Sequence, residues 1–302
     1  MNPPQAKVAL SGASGMLGAA LCQALAARNQ ETLQLVRRPA AGSLELQWNP
    51  AGTPPVADPA ALEGLAAAIH LSGANVAAHR WTPAYKREIA SSRIDSPRAL
   101  ASTLARLNSP PQVLLVASAI GIYGNRGDEL LTESSAPGSG FMADLCEQWE
   151  AAVQPARDAG IRVVHLRFGV VLGSEGALAR IAPIFRLGLG GPLGSGRQWM
   201  SWISLDDAVA AILFALDTPS LSGPVNLTAP HPVTNAGFTH TLARRLHRPA
   251  IFPAPAFALR ITLGQMADEA LLASARVLPA KLTEAGFQFQ NPTIEEALAA
   301  AL

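Results

Sequence analysis

Three observations predict an α/β fold: a doubly wound parallel sheet followed by a smaller, mainly helical C-terminal lobe. Short apolar runs alternate with longer helix-like stretches from residue 8 to residue 167, the pattern of βαβ units. Runs such as Val113–Ala117 are apolar throughout rather than alternating, as expected of strands covered by helices on both faces. The first run leads directly into a glycine-rich loop that opens a helix.

Element by element, strands are expected at Val8–Leu10, Thr32–Val36, Ala68–Leu71, Val113–Ala117 and Arg162–Arg167. Helices are expected at Met16–Arg28, Pro83–Ala90, Ile94–Leu107 and Phe141–Ala159. Beyond Arg167 the texture changes. Gly188, Gly190, Gly191, Gly194 and Gly196 punctuate a loop ending in Trp199-Met-Ser-Trp202, and a helix follows over Leu205–Leu216. Asp206 and Asp207 suit the first turn of that helix, as cap and dipole complement, better than they suit a pair of reacting carboxylates. From about Pro230, prolines at 249, 253, 255 and 279 separate short helices. The division expected is a sheet domain over residues 1–229 and a small helical domain over 230–302.

With 302 residues, 49% of them hydrophobic and 15% charged, the chain can bury a substantial core. Its 23 basic and 22 acidic side chains leave a formal charge of +1, which provides no overall footprint for nucleic acid or an anionic membrane. Residues 8–27 carry no charge and could pass for a signal or a span, but Ser11, Gly12, Ser14, Gly15 and Gly18 interrupt them. Cys22 and Cys146 lie far apart, and the six histidines have no ligand spacing, so no metal site is expected. A reducing cytoplasm is the compartment these features fit. There is no Gly-x-Ser-x-Gly elbow to support an esterase.

Chemistry enters with Gly12-Ala-Ser14-Gly15-Met16-Leu17-Gly18. Three glycines so placed permit a tight turn, close approach of backbone to a pyrophosphate, and close helix–strand packing, while the helix N-terminus offers free N–H groups to the phosphates. The sheet domain is therefore read as Rossmann-type, binding a nicotinamide dinucleotide. A carboxylate at the end of the second strand would accept from the ribose 2′-hydroxyl of NAD(H), but this strand ends Val36-Arg37-Arg38. Two guanidiniums suit a 2′-phosphate, so NADP(H) is the expected cofactor.

Further motifs run the length of the chain: His70-Leu-Ser-Gly-Ala-Asn75, Arg80-Trp81, Lys86, Ser92-Arg93, Ser118-Ala-Ile-Gly-Ile-Tyr-Gly124, Trp149-Glu150 and Leu166-Arg-Phe-Gly-Val-Val-Leu-Gly173. Gly188-Leu-Gly-Gly-Pro-Leu-Gly-Ser-Gly196, Trp202-Ile-Ser-Leu-Asp-Asp207, Pro279-Ala-Lys-Leu282 and Gly286-Phe-Gln-Phe289 continue them. Together they resemble the atypical extended short-chain dehydrogenase/reductases of the "epimerase family" subgroup. That subgroup is often labelled nucleoside-diphosphate-sugar epimerase, includes the human family 39U member, and has a characteristic C-terminal domain. The resemblance implies a cofactor pocket of Gly12, Gly15 and Gly18 with the loop residues between them, together with Arg37 and Arg38. It adds Leu71 and Ser72 beside the adenosine, Glu88 and Arg93 on the next helical segment, and Val170 near the nicotinamide. Arg93 would reach a phosphate.

The parent superfamily exchanges its proton through a Tyr-x-x-x-Lys pair. Here Tyr85 is followed at 89 by Ile and Tyr123 at 127 by Gly, while the helix where the pair should fall offers Cys146 and Glu150. The remaining candidates for catalysis are Ser118, at the end of the fifth strand, and Tyr123. Ser118 would touch substrate or satisfy backbone, and Tyr123 would face the nicotinamide or pack as a core aromatic. Arg197, Gln198 and Trp199, in a substrate-side loop over about 174–204, would form a substrate wall or an ordered structural loop. Two functions stand: an NADP(H)-dependent oxidoreductase or epimerase acting on a small-molecule, nucleotide-linked substrate, or a non-catalytic NADPH-binding sensor or partner module.

Overall fold

The computed structural model describes residues 7–302. Its central sheet has seven strands: β1 (Val8–Ser11), β2 (Thr32–Val36), β3 (Glu45–Gln47), β4 (Ala67–His70), β5 (Val113–Ala119), β6 (Arg162–Phe168) and β7 (Gly223–Leu227). They lie in the order β7-β6-β5-β4-β1-β2-β3, with every neighbouring pair parallel. The chain winds outward from β1 to β3, then crosses back to β4 on the other side of β1. Strand order thus reverses between β1 and β4, where doubly wound sheets open a crevice at their carboxyl ends.

Side chains alternate between two cores. Helices α1 (Met16–Ala27) and α6 (Leu205–Asp217) cover one face, with Leu21, Leu25 and Ile212 packed against Val8, Leu10, Ile69, Leu115 and Leu166. Helices α2 (Pro83–Leu104), α3 (Phe141–Ala151) and α4 (Gln154–Asp158) cover the other, with Leu100, Leu104, Trp149 and Val153 against Leu33, Leu35, Leu114 and Val116. Burying both faces is why the strands read as unbroken apolar runs.

The elements differ from expectation where local signals mislead. The stretches predicted as two helices, Pro83–Ala90 and Ile94–Leu107, form the single helix α2. Ser91 and Ser92 do not break it, because their hydroxyls donate back to the carbonyls of Glu88 and Ile89 at 3.3 and 2.9 Å. The predicted Phe141–Ala159 helix is instead split into α3 and α4, since Pro155 lacks the N–H that would continue the ladder. Strand β7 went unseen in the sequence because Gly223-Pro224 reads as a turn, yet a proline is tolerated on an edge strand.

After α5 (Gly176–Arg186), and beyond α6, the helices α7 (Asn235–Arg245), α8 (Ala256–Leu263), α9 (Ala280–Glu284) and α10 (Ile294–Ala301) complete the chain. Phe185, Trp202, Phe238, Leu242, Ile294 and Leu298 form a third core, whereas Leu282 and Phe287 enter the core beside α6. The buried carboxylate of Asp207 fastens this tail: it accepts from the backbone N–H groups of Gln290 and Asn291 at 2.7 and 2.9 Å and from Ser204 Oγ at 2.9 Å. Asp206 is exposed on the same first turn. Among the described residues no helix is long and apolar enough to cross a membrane, and no group of three metal-ligating side chains converges.

Asp207→Ala is expected to cost about 2 kcal/mol, because two part-buried N–H donors lose their bond to a charged group. Amide exchange should accelerate most across residues 290–301; unchanged protection there would show that the tail is held by packing alone.

Candidate functional site

The glycine loop has a different constraint at each glycine. Gly12 sits at φ +82, and a Cβ there would meet the Leu71 carbonyl carbon at 2.9 Å and the Ser72 nitrogen at 3.0 Å. Only hydrogen lets the loop after β1 touch the loop after β4, which places Leu71 and Ser72 beside it. At Gly18 a Cβ would overlap the Gly12 carbonyl oxygen, so α1 rests directly on the turn. Gly15 is different: a Cβ would meet only the Gly12 oxygen, at 3.6 Å. Its outer side is open. Ser14 and Gly15 are exposed, no side chain caps α1, and its first N–H groups are left for an anion. Met16 and Leu17 are half-buried, with Met16 Sδ 2.9 Å from where a Gly173 Cβ would be. Val170, also half-buried, follows β6 directly and pairs with Trp202.

The two arginines after β2 part company. Arg38 forks onto Glu45 of β3, with Nη1 donating to Oε2 at 2.7 Å and Nη2 to Oε1. That hydrogen bond, with the Ala41 N–H as a second donor, pulls the Glu45 carboxyl down to about 2. Arg37 is exposed and has no side-chain hydrogen bond or ion pair among the described residues. The carboxylate of Glu45, near the end of β2, is thereby taken by Arg38, and Arg37 is left without a counter-charge among the described residues.

On the far side, Arg93 lies beneath the loop after β4. Its Nη1 donates to the Ala74 carbonyl at 2.9 Å and its guanidinium sits over the Trp149 ring, 5.0 Å from the centroid. Burial lowers its pKa, its Nε is buried without a hydrogen-bond partner, and no carboxylate among the described residues pairs with it. A half-buried, unneutralised guanidinium at the edge of the crevice fits a phosphate. Glu88, on the same helix, is exposed with no side-chain partner among the described residues. Behind the glycine loop, fully buried His70 is hydrogen-bonded to Ser11 Oγ at 2.7 Å and Ser96 Oγ at 3.3 Å, and burial pushes its pKa down to about 3.

Across the carboxyl ends of β5, β6 and β7 runs a buried polar row. Ser118, Arg167 and Asn226 stand abreast in register across β5, β6 and β7. Ser118 Oγ donates to Glu150 Oε1 at 2.8 Å, and Arg167 forks onto the same carboxylate at 2.7 and 2.9 Å. Arg167 Nη1 then donates to the Tyr123 hydroxyl at 2.9 Å, and Tyr123 donates to Asn226 Oδ1 at 2.7 Å. Burial works against ionisation of Glu150, but hydrogen bonding and charge from Arg167 prevail and hold its pKa below the usual range.

The row bears on Tyr123, expected either to face the nicotinamide or to pack as a core aromatic: it packs within the row. Its side chain is fully buried, donor and acceptor are both engaged, and burial raises its pKa. Ser118, 2% exposed, is a positioned partner of Glu150. Cys146 is no substitute acid, since burial and then the Glu150 charge push its thiol up to about 12. Sequence reading missed Arg167 and Asn226, whose signal was a charge and an amide inside otherwise apolar strands. The Gly188–Trp202 loop is ordered by structural bonds: Gln198 Nε2 donates to the carbonyls of Leu193 and Leu271 at 3.1 and 3.2 Å, and Trp199 Nε1 to Asp128 Oδ1 at 2.7 Å. Arg197 is exposed.

A switch-point crevice with an open helix N-terminus is a dinucleotide site, and comparison with known proteins agrees. Residues 8–227 match the model of the NAD dependent epimerase/dehydratase family, and residues 254–301 match a domain of unknown function, DUF1731. The chain belongs to the NAD dependent epimerase/dehydratase family. It is 47% identical over 294 residues to the epimerase family protein MT2273 of Mycobacterium tuberculosis, covering 97% of this chain and 96% of that one. The structure of human epimerase family protein SDR39U1 (isoform 2) with NADPH superposes with a TM-score of 0.89 at 31% identity, covering 98% of each chain. A nucleoside-diphosphate sugar epimerase from Corynebacterium glutamicum superposes with a TM-score of 0.82 at 34% identity, over 99% of this chain and 58% of that one.

Two stability measurements check the polar row. Glu150→Gln should cost about 3–5 kcal/mol by leaving Arg167 buried without its counter-charge, and Tyr123→Phe about 1–3 kcal/mol, with dinucleotide affinity kept by Tyr123→Phe. An unaltered unfolding midpoint in Glu150→Gln would mean that the ion pair is not formed in solution. Acid is the second probe. Burial holds the pKa values of His70 and His165 at about 3 and about 4, so below pH ~6.5 the unfolded chain binds protons that the folded chain refuses. Stability present at neutral pH should therefore fall by about 1.4 kcal/mol per pH unit per histidine down to about pH 4. A flat denaturation profile over that window would contradict the burial of both.

Proposed function

We propose that this chain is an NADP(H)-dependent oxidoreductase or epimerase acting on a small, nucleotide-linked substrate. The observation carrying the cofactor choice is the division of labour after β2: Arg38 neutralises Glu45, leaving Arg37 as an unpaired guanidinium at the ribose end of an open phosphate cradle. Gly12, Ser14, Gly15, Met16, Leu17 and Gly18 cradle the pyrophosphate, Leu71 and Ser72 flank the adenosine, Arg93 meets a phosphate, and Val170 lies toward the nicotinamide. Bound there, the cofactor supplies hydride exchange; the chain supplies orientation, charge and exclusion of water. The NADPH in the human relative's structure and the name of the Corynebacterium relative support cofactor and substrate class respectively.

A second reading has its own observation. Tyr123 and Cys146 are buried and raised in pKa, so neither is an acid or base matched to neutral pH. On that ground the chain would be a non-catalytic NADPH-binding sensor or partner module. Ser118 separates the readings, because in the enzyme its hydroxyl exchanges a proton with substrate while Glu150 orients it.

Calorimetric titration with NADPH and NADH tests the first part. NADPH should bind at least about tenfold tighter, a difference of roughly 1.4 kcal/mol, and Arg37→Ala should erase that gap while Arg38→Ala narrows it less. Equal affinities in the wild-type chain would refute the assignment of Arg37. The second part is read from NADPH oxidation, or inversion of configuration, with nucleoside-diphosphate sugars. Turnover reduced about a hundredfold in Ser118→Ala, with cofactor affinity retained, supports the enzyme; no turnover in cofactor-loaded wild-type protein supports the sensor.

A further inference from the structure

The near-zero net charge conceals a strong segregation. Residues 176–205 and 218–267 contain seven arginines (180, 186, 197, 244, 245, 248 and 260) and neither aspartate nor glutamate. These two stretches meet in space. Arg248 Nε donates to the Arg186 carbonyl at 2.9 Å, the Phe252 N–H to the Gly190 carbonyl at 3.2 Å, and the Ala254 N–H to the Pro192 carbonyl at 2.9 Å. The junction also collects most of the exposed large apolar side chains of the described residues: Ile184, Leu187, Leu189, Ile251, Phe252, Phe257 and Ile261. Leu187 is 75% exposed, Phe257 66% and Ile261 69%. Phe257 and Ile261 lie one turn apart on α8, and no residue of that helix is buried. This eight-residue helix, Ala-Phe-Ala-Leu-Arg-Ile-Thr-Leu, packs Leu263 against the cluster of Trp81, Tyr85 and Met266 but turns Phe257 and Ile261 outward.

We propose that this face docks on an anionic phospholipid surface, with Leu187, Ile251, Phe252, Phe257 and Ile261 entering among the acyl chains and the arginines meeting the headgroups. Charge selects the occupant. A second copy meeting this face with its own would bring the two arginine sets together, which is repulsive. The side chains also project outward, whereas the apolar anchors of a protein partner are best held in closed, desolvated pockets. Projecting aromatic and aliphatic side chains rimmed by arginine suit the boundary between headgroups and hydrocarbon. Two acids stand near: Asp268, paired with Arg260 at 2.8 Å, and Glu295, which accepts from Thr241 of α7 at 3.2 Å. Arg186, Arg244 and Arg245 have no side-chain hydrogen-bond or ion-pair partner among the described residues. The face shares no residue with the cofactor pocket assigned above, although Leu187 and Leu189 belong to the loop expected on the substrate side, so the proposal does not rest on the cofactor reading.

Co-flotation with vesicles tests it, using phosphatidylcholine alone and phosphatidylcholine with phosphatidylglycerol at equal amounts. The full chain should float only with the anionic vesicles, and less at high salt. Phe257→Ser with Ile261→Ser, and separately Arg244→Glu with Arg245→Glu, should each weaken binding on the order of tenfold or more. Both pairs should leave NADPH binding and the unfolding midpoint as in the parent chain, which separates a lost surface from a lost fold. No flotation with anionic vesicles overturns the proposal and leaves an acidic protein as the occupant. Flotation unaffected by either pair overturns it too, as does a dimer that these substitutions dissociate.

Discussion

Glu150 and Arg167 form the ion pair on which the crevice floor depends. Their side chains are only 14% and 8% exposed, and the carboxylate is met by both arms of the guanidinium. An isolated charge at that depth would cost more than the fold could spare, so neither residue is tolerable without the other. The pair ties α3 to β6, and the remaining donors and acceptors reach β5 through Ser118 and β7 through Asn226. Burying the pair thus dictates what its neighbours must be. It also accounts for the missing proton device: a lysine at position 150, as the superfamily's pair would require, would face Arg167 with like charge.

The arginines sort by what neutralises them. Arg167 and Arg38 have carboxylates, and Arg162 caps the end of α6, donating to the carbonyls of Ala215, Leu216, Thr218 and Leu221. These are structural. Arg37 follows β2 and Arg93 packs under the loop after β4, on the two sides of β1, one exposed and unpaired, the other half-buried with a spare Nε–H. Exposed arginines are common, but a desolvated one without a carboxylate is costly, and a dinucleotide's phosphates would offset that cost. In the proposed cofactor reading the two guanidiniums answer charges of one extended anionic ligand.

What could be read in the sequence was what is set locally. The glycine loop, β1, β2 and the start of α6 follow from steric limits and apolar patterning within a dozen residues, and each formed where expected. The two readings of Tyr123 could not be separated in the sequence because its environment is made by partners 44 and 103 residues away. No local pattern distinguishes a phenol pointing into a crevice from one turned into the sheet. The arginine pair after β2 was recognised as a unit, yet its division depended on Glu45, which comes alongside only when β3 pairs with β2. Family resemblance supplied Arg93, whereas its orphaned Nε is a property of packing alone.

Rigid and open regions are divided between the two halves of the crevice. Below the chemical end, each hydrogen bond of the row lies between groups that are themselves held, so motion of one strains the next. The cradle end has uncapped N–H groups and unpaired cations, features that cost stability unless a ligand answers them. Binding there should raise stability by mass action, while the locked row can respond only if substrate displaces Glu150 or Ser118 from its partner. Above the row the tail meets α3: Glu269 accepts from the N–H groups of Phe141 and Met142 and so caps that helix, and Arg276 stacks on Trp199 at 4.2 Å. The C-terminal segment thus helps set the position of the helix that supplies Glu150, and through it the ion pair on which the floor depends.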